Sequence, residues 1–466
     1  MDAVAHPPSI RRKGSLPVVA ICFASIVFDG YDLIVYGSVV PNLLADKSWH
    51  LSPAQVGAIG SYALMGMLIG ALVAGVITDI VGRRKIVIAS VTWFSLAMIL
   101  CALAPSPELL GLFRFVAGLG LGGVVPTAIA LTVEYAPKER RNLYNALMYS
   151  GYSVGGILAA VLALTLLAEH GWRLMFWIGA APLVLVLPLA VRYLPESAGF
   201  LLARGRRAEA EALAARYGLT LDESAAGESG AERGPATRTR SIAVLFRREN
   251  LAATALFGAA SFCGLLLVYG LNTWLPQIMR AAGYPLGSSL QFLLALNLGA
   301  IVGTILVSFL ADRVGSKIVT VGAFLAATLC LYLLSLRLGT GVLMACVAVA
   351  GLGSVGTQIL VNGYVATHFP ASVRATALGW SLGVGRLGAI LGPLLGGWIL
   401  GSGLGVEWNF YAFVLPALLG AVFIAAVPRM RAGRAATGLA RRETAGGSTA
   451  HPEEQAGHRN TRVRGN

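Results

Sequence analysis

Two aspartates in the first apolar stretch have the type and spacing to do chemistry. Asp29 and Asp32 are the only charged residues between positions 17 and 44, a stretch long enough to cross a bilayer as a helix. A charge at the centre of such a helix costs about 2.5–3.5 kcal/mol even by the lower estimates. Their spacing places both carboxylates on one helix face, with Tyr36 one turn further along. We expect that face to look into protein or into a water-filled cavity.

This pair of aspartates allows two interpretations. It can form a structural ion pair with a neighbouring helix, in which case the charges only balance one another. It can also form a proton or substrate site, because acids inside membranes usually mark transport pathways. We favour the second interpretation, which requires the rest of the chain to build a pathway around the two carboxylates.

The composition indicates a membrane protein. The chain has 466 residues, of which 56% are hydrophobic and 12% charged, whereas a soluble domain carries about 25% charged residues. Twelve apolar segments are long enough to cross a bilayer. They lie at residues 17–44, 54–78, 86–104, 108–133, 143–167, 172–193, 250–272, 288–311, 318–336, 341–366, 375–400 and 409–428. The sequence therefore predicts an all-α integral membrane protein with twelve transmembrane helices in two pseudo-symmetric six-helix bundles.

A polar connector divides the twelve segments into two groups of six. The predicted organisation is a cytoplasmic tail, a bundle, a cytoplasmic connector, a second bundle and a cytoplasmic tail, at residues 1–16, 17–193, 194–249, 250–428 and 429–466. Within the connector, residues 204–217 are typical of a short surface helix. Residues 222–240 and the tail from 431 onward have the composition of disordered chain. A long connector allows two membrane halves to rock against each other.

The basic residues determine the predicted orientation. With the N-terminus inside, the outer loops hold few of the 36 Lys and Arg residues, namely Lys47, Arg173, Arg280 and Arg337. This asymmetry is the positive-inside pattern, so the net charge of +14 reflects topology and does not indicate a nucleic-acid surface. We expect a multi-pass protein of a bacterial cytoplasmic (inner) membrane, with both termini in the cytoplasm and lipid as its surroundings.

The two halves of the chain repeat each other. Four residue pairs lie 233 positions apart without a gap: Asp79 and Asp312, Gly82 and Gly315, Pro137 and Pro370, and Arg141 and Arg374. Four matches at one offset are hard to produce by chance. Internal duplication is typical of transporters, whose substrate site lies between the repeats. The sequence therefore places the candidate site at the interface of the two bundles.

The loop after the second segment carries a specific motif. It follows the pattern G-x-x-x-D-x-x-G-R-R-K and contains Gly75, Asp79, Gly82, Arg83 and Arg84, and its second copy contains Asp312, Arg313, Gly315 and Lys317. This loop resembles the main signature of the major facilitator superfamily. Asp79 can pair with the arginines that follow it or with a facing helix N-terminus, and such a charge cluster is suited to latching the inner gate. The alternative is a basic loop that only sets topology.

Further motifs narrow the resemblance. The run from Glu134 to Arg141 resembles the Glu/Arg gate element of the superfamily, although Thr367 replaces the glutamate in the second copy, where Arg374 is kept. Residues 195–197 read Pro-Glu-Ser, as after the sixth helix of several solute porter families. Together with the Asp-Gly-Tyr-Asp run of the first segment and the runs at 374–380 and 383–393, the chain resembles the aromatic acid:proton symporter family over residues 17–428.

The resemblance implies roles for individual residues. In that family the first-helix acids and the eleventh-helix arginine matter for transport, and they correspond to Asp29, Asp32 and Arg386. Helices 1, 4, 7 and 10 line the cavity of this fold, and helices 2, 5, 8 and 11 lie at the interface of the halves. The substrate contacts that follow are Arg386, Tyr36, Tyr152, Asn272, Gln358 and Asn362. Arg114 is expected to sit toward the outer side and to neutralise Asp32.

Arg386 is the natural partner for a substrate carboxylate, because its guanidinium can hold both oxygens and does not deprotonate. Its alternative roles are a permanent salt bridge or a clamp on the carbonyls at residues 392–393. The predicted function is import of an aromatic carboxylic acid, such as benzoate or a hydroxybenzoate, together with protons. Either Asp29 or Asp32 would take up the proton, which is the only coupling ion expected, and we expect a monomer.

Motifs of soluble enzymes occur without their context. Residues 118–123 fit G-x-G-x-x-G and residues 151–155 fit G-x-S-x-G, yet both lie inside apolar helices and are interpreted as helix packing. The sequence has no G-x-x-x-x-G-K-[ST] loop for ATP, and its five cysteines have no metal-ligand spacing. We therefore expect neither an enzyme nor a cofactor.

Other transport classes remain as alternatives. One is a facilitator for an aliphatic carboxylate, a sugar or another small solute, and another is a drug exporter. The fifth segment lacks the proline of the antiporter motif of the superfamily, which favours symport over exchange. A membrane sensor that transports nothing is the third alternative, and the duplicated loops and buried charges argue against it.

Overall fold

The structure is a computed structural model that describes residues 15–137, 140–219, 243–336 and 338–428. The segments with the composition of disordered chain, 222–240 and 431 onward, lie outside the described residues. The predicted domain boundaries stay predictions.

Helices account for the regular structure of the described residues. In chain order they are α1 (Ser15–Ala45), α2 (Pro53–Val81), α3 (Arg83–Leu103), α4 (Pro107–Tyr135), α5 (Arg141–His170), α6 (Trp172–Tyr193), α7 (Ala198–Ala203), α8 (Arg207–Tyr217), α9 (Arg248–Ala281), α10 (Leu286–Val314), α11 (Ser316–Leu333), α12 (Thr340–His368), α13 (Ala371–Gly401) and α14 (Val406–Ala426). In this part of the chain, twelve of them are long and apolar enough to cross a membrane, which confirms the predicted spans. The short helices α7 and α8 belong to the connector, and α8 covers most of the surface helix predicted at 204–217.

Local sequence signals explain several helix ends. Ser52 caps α2 through a reciprocal pair of contacts with Gln55, and Pro53 follows at the first helical position. The turns from α2 to α3 and from α10 to α11 are each made by one glycine. Gly82 and Gly315 adopt φ angles of 100° and 104°, a region that side chains disfavour. The duplicated loop motif therefore makes the same sharp turn in both halves.

Within each half, the membrane-spanning helices pack closely against one another. In the first half α1 packs on α5 and α2 packs on α4, and in the second half α9 packs on α13 and α11 packs on α14. Gly118 and Gly122 of α4 lie directly against the backbone of α2, as small residues do in membrane helices. The G-x-G-x-x-G run is thus part of a helix interface. Large apolar side chains such as Leu72 and Ile305 are exposed on the outer surface, where lipid would cover them.

The two halves touch at one end of the helices. We call the end where α1 begins and α2 meets α3 the basic end, and the opposite end the far end. At the far end Ser61 donates a hydrogen bond to the carbonyl of Ile390 at 2.6 Å, and Arg280 donates to the carbonyl of Pro41 at 3.2 Å. Gly37 also lies directly against the backbone of Asn272. These contacts join α1 and α2 to α9 and α13.

The basic end is open between the halves. Positions 75 and 383, on α2 and α13, have no neighbouring atom within 4 Å of where a Cβ would stand. Asp79 and Arg374, near the same ends of these helices, are exposed. The molecule is therefore closed at the far end and open at the basic end, which is one of the two states that alternating access requires.

Far-end closure predicts a specific effect of side-chain size at position 37. Gly37→Leu places atoms where the Asn272 carbonyl now lies, so we expect the far end to stay apart. Cross-linking of a P53C/G401C pair reports closure, because the two Cβ positions are 3.9 Å apart. We expect strong cross-linking in the parent and at least about a tenfold slower reaction with Gly37→Leu. Gly322→Leu, at an exposed position with no neighbour within 4 Å, is the control; equal rates in both variants would contradict this geometry.

Candidate functional site

A cavity lies between the two halves near the middle of the spans and opens toward the basic end. Its empty space is roughly 730 Å³ when the solvent at its open mouth is counted with it. Five of the residues predicted from the sequence line it: Asp29, Tyr152, Gln358, Asn362 and Arg386. The other lining residues are Ile26, Met67, Val125, Tyr149, Leu265, Val268, Tyr269, Val355, Ile359 and Leu382. The cavity thus combines two opposite charges and several polar groups with a largely apolar wall.

Asp29 presents a carboxylate to this cavity without a fixed partner. Asp29 is 1% exposed, and its Oδ1 atom has no hydrogen-bond partner among the described residues. Within the described residues, no Lys, Arg or His nitrogen lies within 4 Å of it. An unpaired carboxylate in such a place is costly to keep ionised, so proton uptake or a cationic neighbour would relieve it.

Arg386 presents a guanidinium to the same cavity. Its Nη1 lies 3.1 Å from the sulfur of Met67, and no carboxylate of the described residues lies within 4 Å. The carbonyl of Pro393 accepts a hydrogen bond from the Trp274 indole at 2.7 Å. The structure therefore shows neither the permanent salt bridge nor a clamp on the Pro393 carbonyl, and Arg386 keeps donors available for a carboxylate.

Three tyrosines share the cavity with these charges. Tyr149 and Tyr152 come from α5, and Tyr269 comes from α9. Of the three, only Tyr152 was predicted from the sequence. The spacing of three between Tyr149 and Tyr152 on an interface helix was the available signal. Aromatic rings with hydroxyl groups suit a ligand that is itself an aromatic ring with polar substituents.

Asp32 does not line the cavity. Its Oδ1 accepts a hydrogen bond from Arg114 Nη1 at 2.6 Å, with side-chain exposures of 0% and 1%. The Arg114 guanidinium also lies over the Tyr36 ring, 5.3 Å from its centroid. The two aspartates of one helix face therefore have different surroundings, since Asp32 is buried in an ion pair and Asp29 lines the cavity.

The buried ion pair predicts a stability effect. Asp32→Asn or Arg114→Ala leaves a buried charge without its partner, which costs about 3–5 kcal/mol. We expect both variants to melt well below the parent protein in detergent. The double variant Asp32→Leu/Arg114→Met should recover much of that loss, because no charge remains to be compensated. Arg206→Ala breaks an exposed pair with Glu209 and should change little; parent-like melting of Arg114→Ala would show that the pair is not needed.

Two predicted substrate contacts lie away from the cavity lining. The Tyr36 hydroxyl donates to the carbonyl of Val56 at 2.6 Å. Asn272 donates to the carbonyl of Val268 at 2.7 Å and accepts from Asn297 at 3.1 Å. Both side chains are buried where the far end is closed, so their polar groups are used within the protein. Neither side chain lines the cavity in this state, and their assignment to the substrate site stays a prediction.

The predicted latch at the basic end has different partners from those expected. Arg83 pairs with Glu134 at 2.9 Å, and Glu134 also accepts hydrogen bonds from Ser197 and from the Gly199 backbone. These contacts tie the α2–α3 turn to the Pro-Glu-Ser segment within the first half. Asp79 is exposed, and among the described residues no cation lies within 4 Å of its carboxylate. Its expected pairing with the following arginines is absent, because those arginines bind elsewhere while the basic end is open.

Three other motif residues contact groups of their own half. Arg84 donates to the carbonyl of Val191 at 2.6 Å, and Arg313 stacks on Phe309. Lys317 donates to the carbonyl of Val427 at 2.6 Å. Gly75, Asp312, Gly315 and Arg374 are exposed, and Arg141 is half-buried. Within the described residues, no three His, Cys, Asp or Glu side chains converge as a metal site would require.

Comparison with known proteins places this geometry in a family. The family model of the Major Facilitator Superfamily matches residues 22–393 and 297–451. The benzoate transport protein of Acinetobacter baylyi is 39% identical over 422 residues, covering 87% of this chain and 88% of that protein. The gentisate transporter of Corynebacterium glutamicum is 40% identical over 420 residues, covering 89% and 88%.

Solved structures agree on the fold. The crystal structure of a D-xylose-proton symporter aligns with a TM-score of 0.71 at 16% identity, covering 91% of this chain and all of that one. The inward open conformation of the xylose transporter XylE from E. coli aligns with a TM-score of 0.71, covering 90% and 98%. At this identity the similarity shows the fold alone. With the duplicated loops and the relatives above, the chain belongs to the major facilitator superfamily, in the branch of the aromatic acid transporters, and is a membrane transporter and not an enzyme.

Proposed function

We propose that this protein imports an aromatic carboxylic acid together with protons by alternating access. The observation that carries the proposal is that Asp29 and Arg386 share one cavity, with neither side chain in an ion pair with any residue that the structure describes. An unpaired guanidinium is a receptor for a carboxylate. An unpaired carboxylate in an apolar setting is a receptor for a proton. The relatives named for benzoate and gentisate supply the substrate class.

In the proposed cycle, neutralising the charges of the cavity allows the two halves to close. With the far end open, Asp29 takes a proton from outside and the aromatic carboxylate binds Arg386. The cavity then holds no unpaired charge, so the halves can close over it at the far end. Opening at the basic end, which is the state described above, releases the acid and then the proton. In this cycle Asp32 balances Arg114 and carries no proton.

The stoichiometry determines which gradient drives uptake. One proton with one monocarboxylate moves no net charge, so the pH gradient alone would act. A second proton would add about 2.3 kcal/mol per 100 mV of membrane potential. We place the protein in a bacterial cytoplasmic membrane with its basic end in the cytoplasm, because basic loops stay on that side, and we propose that it works as a monomer.

Proteoliposomes with an imposed pH gradient test the proposal. We expect labelled benzoate, 4-hydroxybenzoate or gentisate to accumulate inside when the outside is acidic, and a protonophore to abolish the accumulation. Weak acids also cross lipid in their neutral form, so protein-free liposomes are the control. Accumulation of none of these acids above that control would overturn the proposal. Accumulation of an aliphatic carboxylate instead would favour the alternative function, which the apolar and aromatic wall argues against.

A further inference from the structure

One contact between the two halves lies inside the cavity itself. Met67 of α2 and Arg386 of α13 both line the cavity, and Arg386 Nη1 donates to the Met67 sulfur at 3.1 Å. Toward the far end, the same two helices are joined by the hydrogen bond from Ser61 to the carbonyl of Ile390. Toward the basic end, position 383 of α13 has no neighbouring atom within 4 Å of where a Cβ would stand. The contact between Met67 and Arg386 therefore lies where the closed part of the interface between the halves ends.

The backbone of Met67 is held by the packing of α2 on α4. A Cβ at Gly118 would stand 2.9 Å from the backbone nitrogen of Met67, and one at Gly122 would stand 2.5 Å from its carbonyl oxygen. Helices that approach each other this closely leave little room for either to shift. Met67 is also only 2% exposed, so its side chain has few other positions to occupy. The glycines of α4 thus fix where the sulfur lies.

The sulfur of Met67 is an unusual partner for a guanidinium. A thioether is a neutral and weak acceptor, so it orients the Arg386 side chain without neutralising its charge. A carboxylate in the same place would form a strong charge-assisted pair. Asp29 lines the same cavity, yet its oxygens stay more than 4 Å from the nitrogens of Arg386. The guanidinium therefore contacts a neutral group although an acid of the protein shares its cavity.

We propose that Met67 is a positioning residue, which holds the Arg386 guanidinium away from Asp29 and so keeps it free for the carboxylate of the substrate. This inference rests on the proposed function, in which Arg386 binds that carboxylate. Without the sulfur, an ionised Asp29 attracts the guanidinium, and the substrate then competes with an acid of the protein itself. Because Met67 and Arg386 belong to different halves, this positioning applies to the state with the basic end open.

Titration calorimetry of the purified full-length protein with 4-hydroxybenzoate tests this inference. A mildly alkaline buffer is used, because it favours the ionised form of Asp29. Met67→Leu removes the sulfur and nearly keeps the volume, and we expect it to weaken binding at least about fivefold. In an Asp29→Asn background, the same substitution should change affinity less than about twofold, because no competing carboxylate remains.

Two further variants make the comparison specific. Met67→Gln places an amide oxygen where the sulfur lies, and this neutral acceptor should recover most of the affinity lost in Met67→Leu. Met65→Leu is the matched control, because Met65 belongs to the same helix but is 39% exposed and does not line the cavity. Its affinity should equal that of the parent protein.

The outcomes separate positioning from packing and from the proposed function. A packing defect at Met67 would persist when Asp29 is changed, so equal weakening with and without the Asp29 carboxylate would overturn the inference. Parent-like binding by Met67→Leu would also overturn it, and the proposed function would stand if Arg386→Ala still weakened binding. If Met67→Leu does not fold, Met67→Ile is compared in the same two backgrounds. Binding of no aromatic acid by the parent protein would overturn the inference and the proposed function together.

Discussion

Arg386→Ala is expected to weaken equilibrium binding of 4-hydroxybenzoate by about 30-fold or more. Arg386 is the unpaired cation of the cavity, and loss of a hydrogen-bonded charge partner in a buried site costs about 2 kcal/mol or more. Each 1.4 kcal/mol corresponds to a tenfold change in affinity. The affinity of Arg386→Lys should lie between those of the parent protein and Arg386→Ala. Lysine keeps the charge but loses the planar fork that holds both carboxylate oxygens. Titration calorimetry on the purified protein measures both variants.

The matched control for Arg386 is another arginine of the same chain. Arg216→Ala removes an exposed side chain on the connector helix α8, where it stacks on Tyr217. It carries the same charge and lies outside the cavity, so affinity should not change. If Arg386→Ala bound the acid as tightly as the parent protein, Arg386 would have only a structural role.

Asp29→Asn is expected to abolish accumulation driven by a pH gradient and to leave exchange intact. Asparagine resembles the protonated carboxyl group, so the cavity is always in its proton-loaded charge state and the halves can still close over substrate. Exchange of labelled for unlabelled 4-hydroxybenzoate should continue within about threefold of the parent rate. Net accumulation should disappear, because no proton is bound and released in each cycle. Both are measured in the same proteoliposomes.

Asp46 provides the control for Asp29. It lies in the far-end loop after α1, outside the cavity, and hydrogen bonds donated by the Ser48 side chain and backbone hold the pKa of Asp46 below its ordinary value. It therefore stays ionised at the pH of either compartment and cannot carry the coupled proton. Asp46→Asn should accumulate substrate as the parent does. Parent-like accumulation by Asp29→Asn would exclude this carboxylate from coupling.

Much of the fold could be predicted from the sequence, because membrane spans are determined by simple physics. Lipid requires long apolar helices, and the sequence contains twelve runs of apolar residues of that length. The duplicated Gly82 and Gly315 turns could also be predicted, since the glycine-containing motif occurs twice in the chain with the same spacing. These features depend on local sequence or on position along one chain.

The division of labour between Asp29 and Asp32 could not be predicted from the sequence. Both lie on one face of α1, and which of them meets Arg114 depends on how α4 crosses α1. That crossing is set by helix packing and not by a pattern in either helix. The same limit explains why Tyr149 and Tyr269 were missed, since only the arrangement of α5 and α9 brings them into one cavity.

The latch and the outer contacts depend on conformational state. The roles of Asp79, Tyr36 and Asn272 were predicted from position along the chain, whereas the structure shows their surroundings in one state. With the far end closed, Tyr36 and Asn272 bind protein groups there. With the basic end open, Asp79 meets solvent. The same sequence must support both states of the transport cycle, whereas one structure shows only one of them.

Simultaneous measurement of proton and substrate flux tests the central claim most directly. A pH-sensitive dye inside proteoliposomes reports protons while labelled 4-hydroxybenzoate reports substrate, with the membrane potential clamped to zero. We predict internal acidification that begins with uptake and stays in constant proportion to it. Liposomes carrying Arg386→Ala should show only the slow leak of the neutral acid, and those carrying Asp29→Asn should show exchange without acidification. Uptake by the parent protein with no proton movement above that leak would contradict the account.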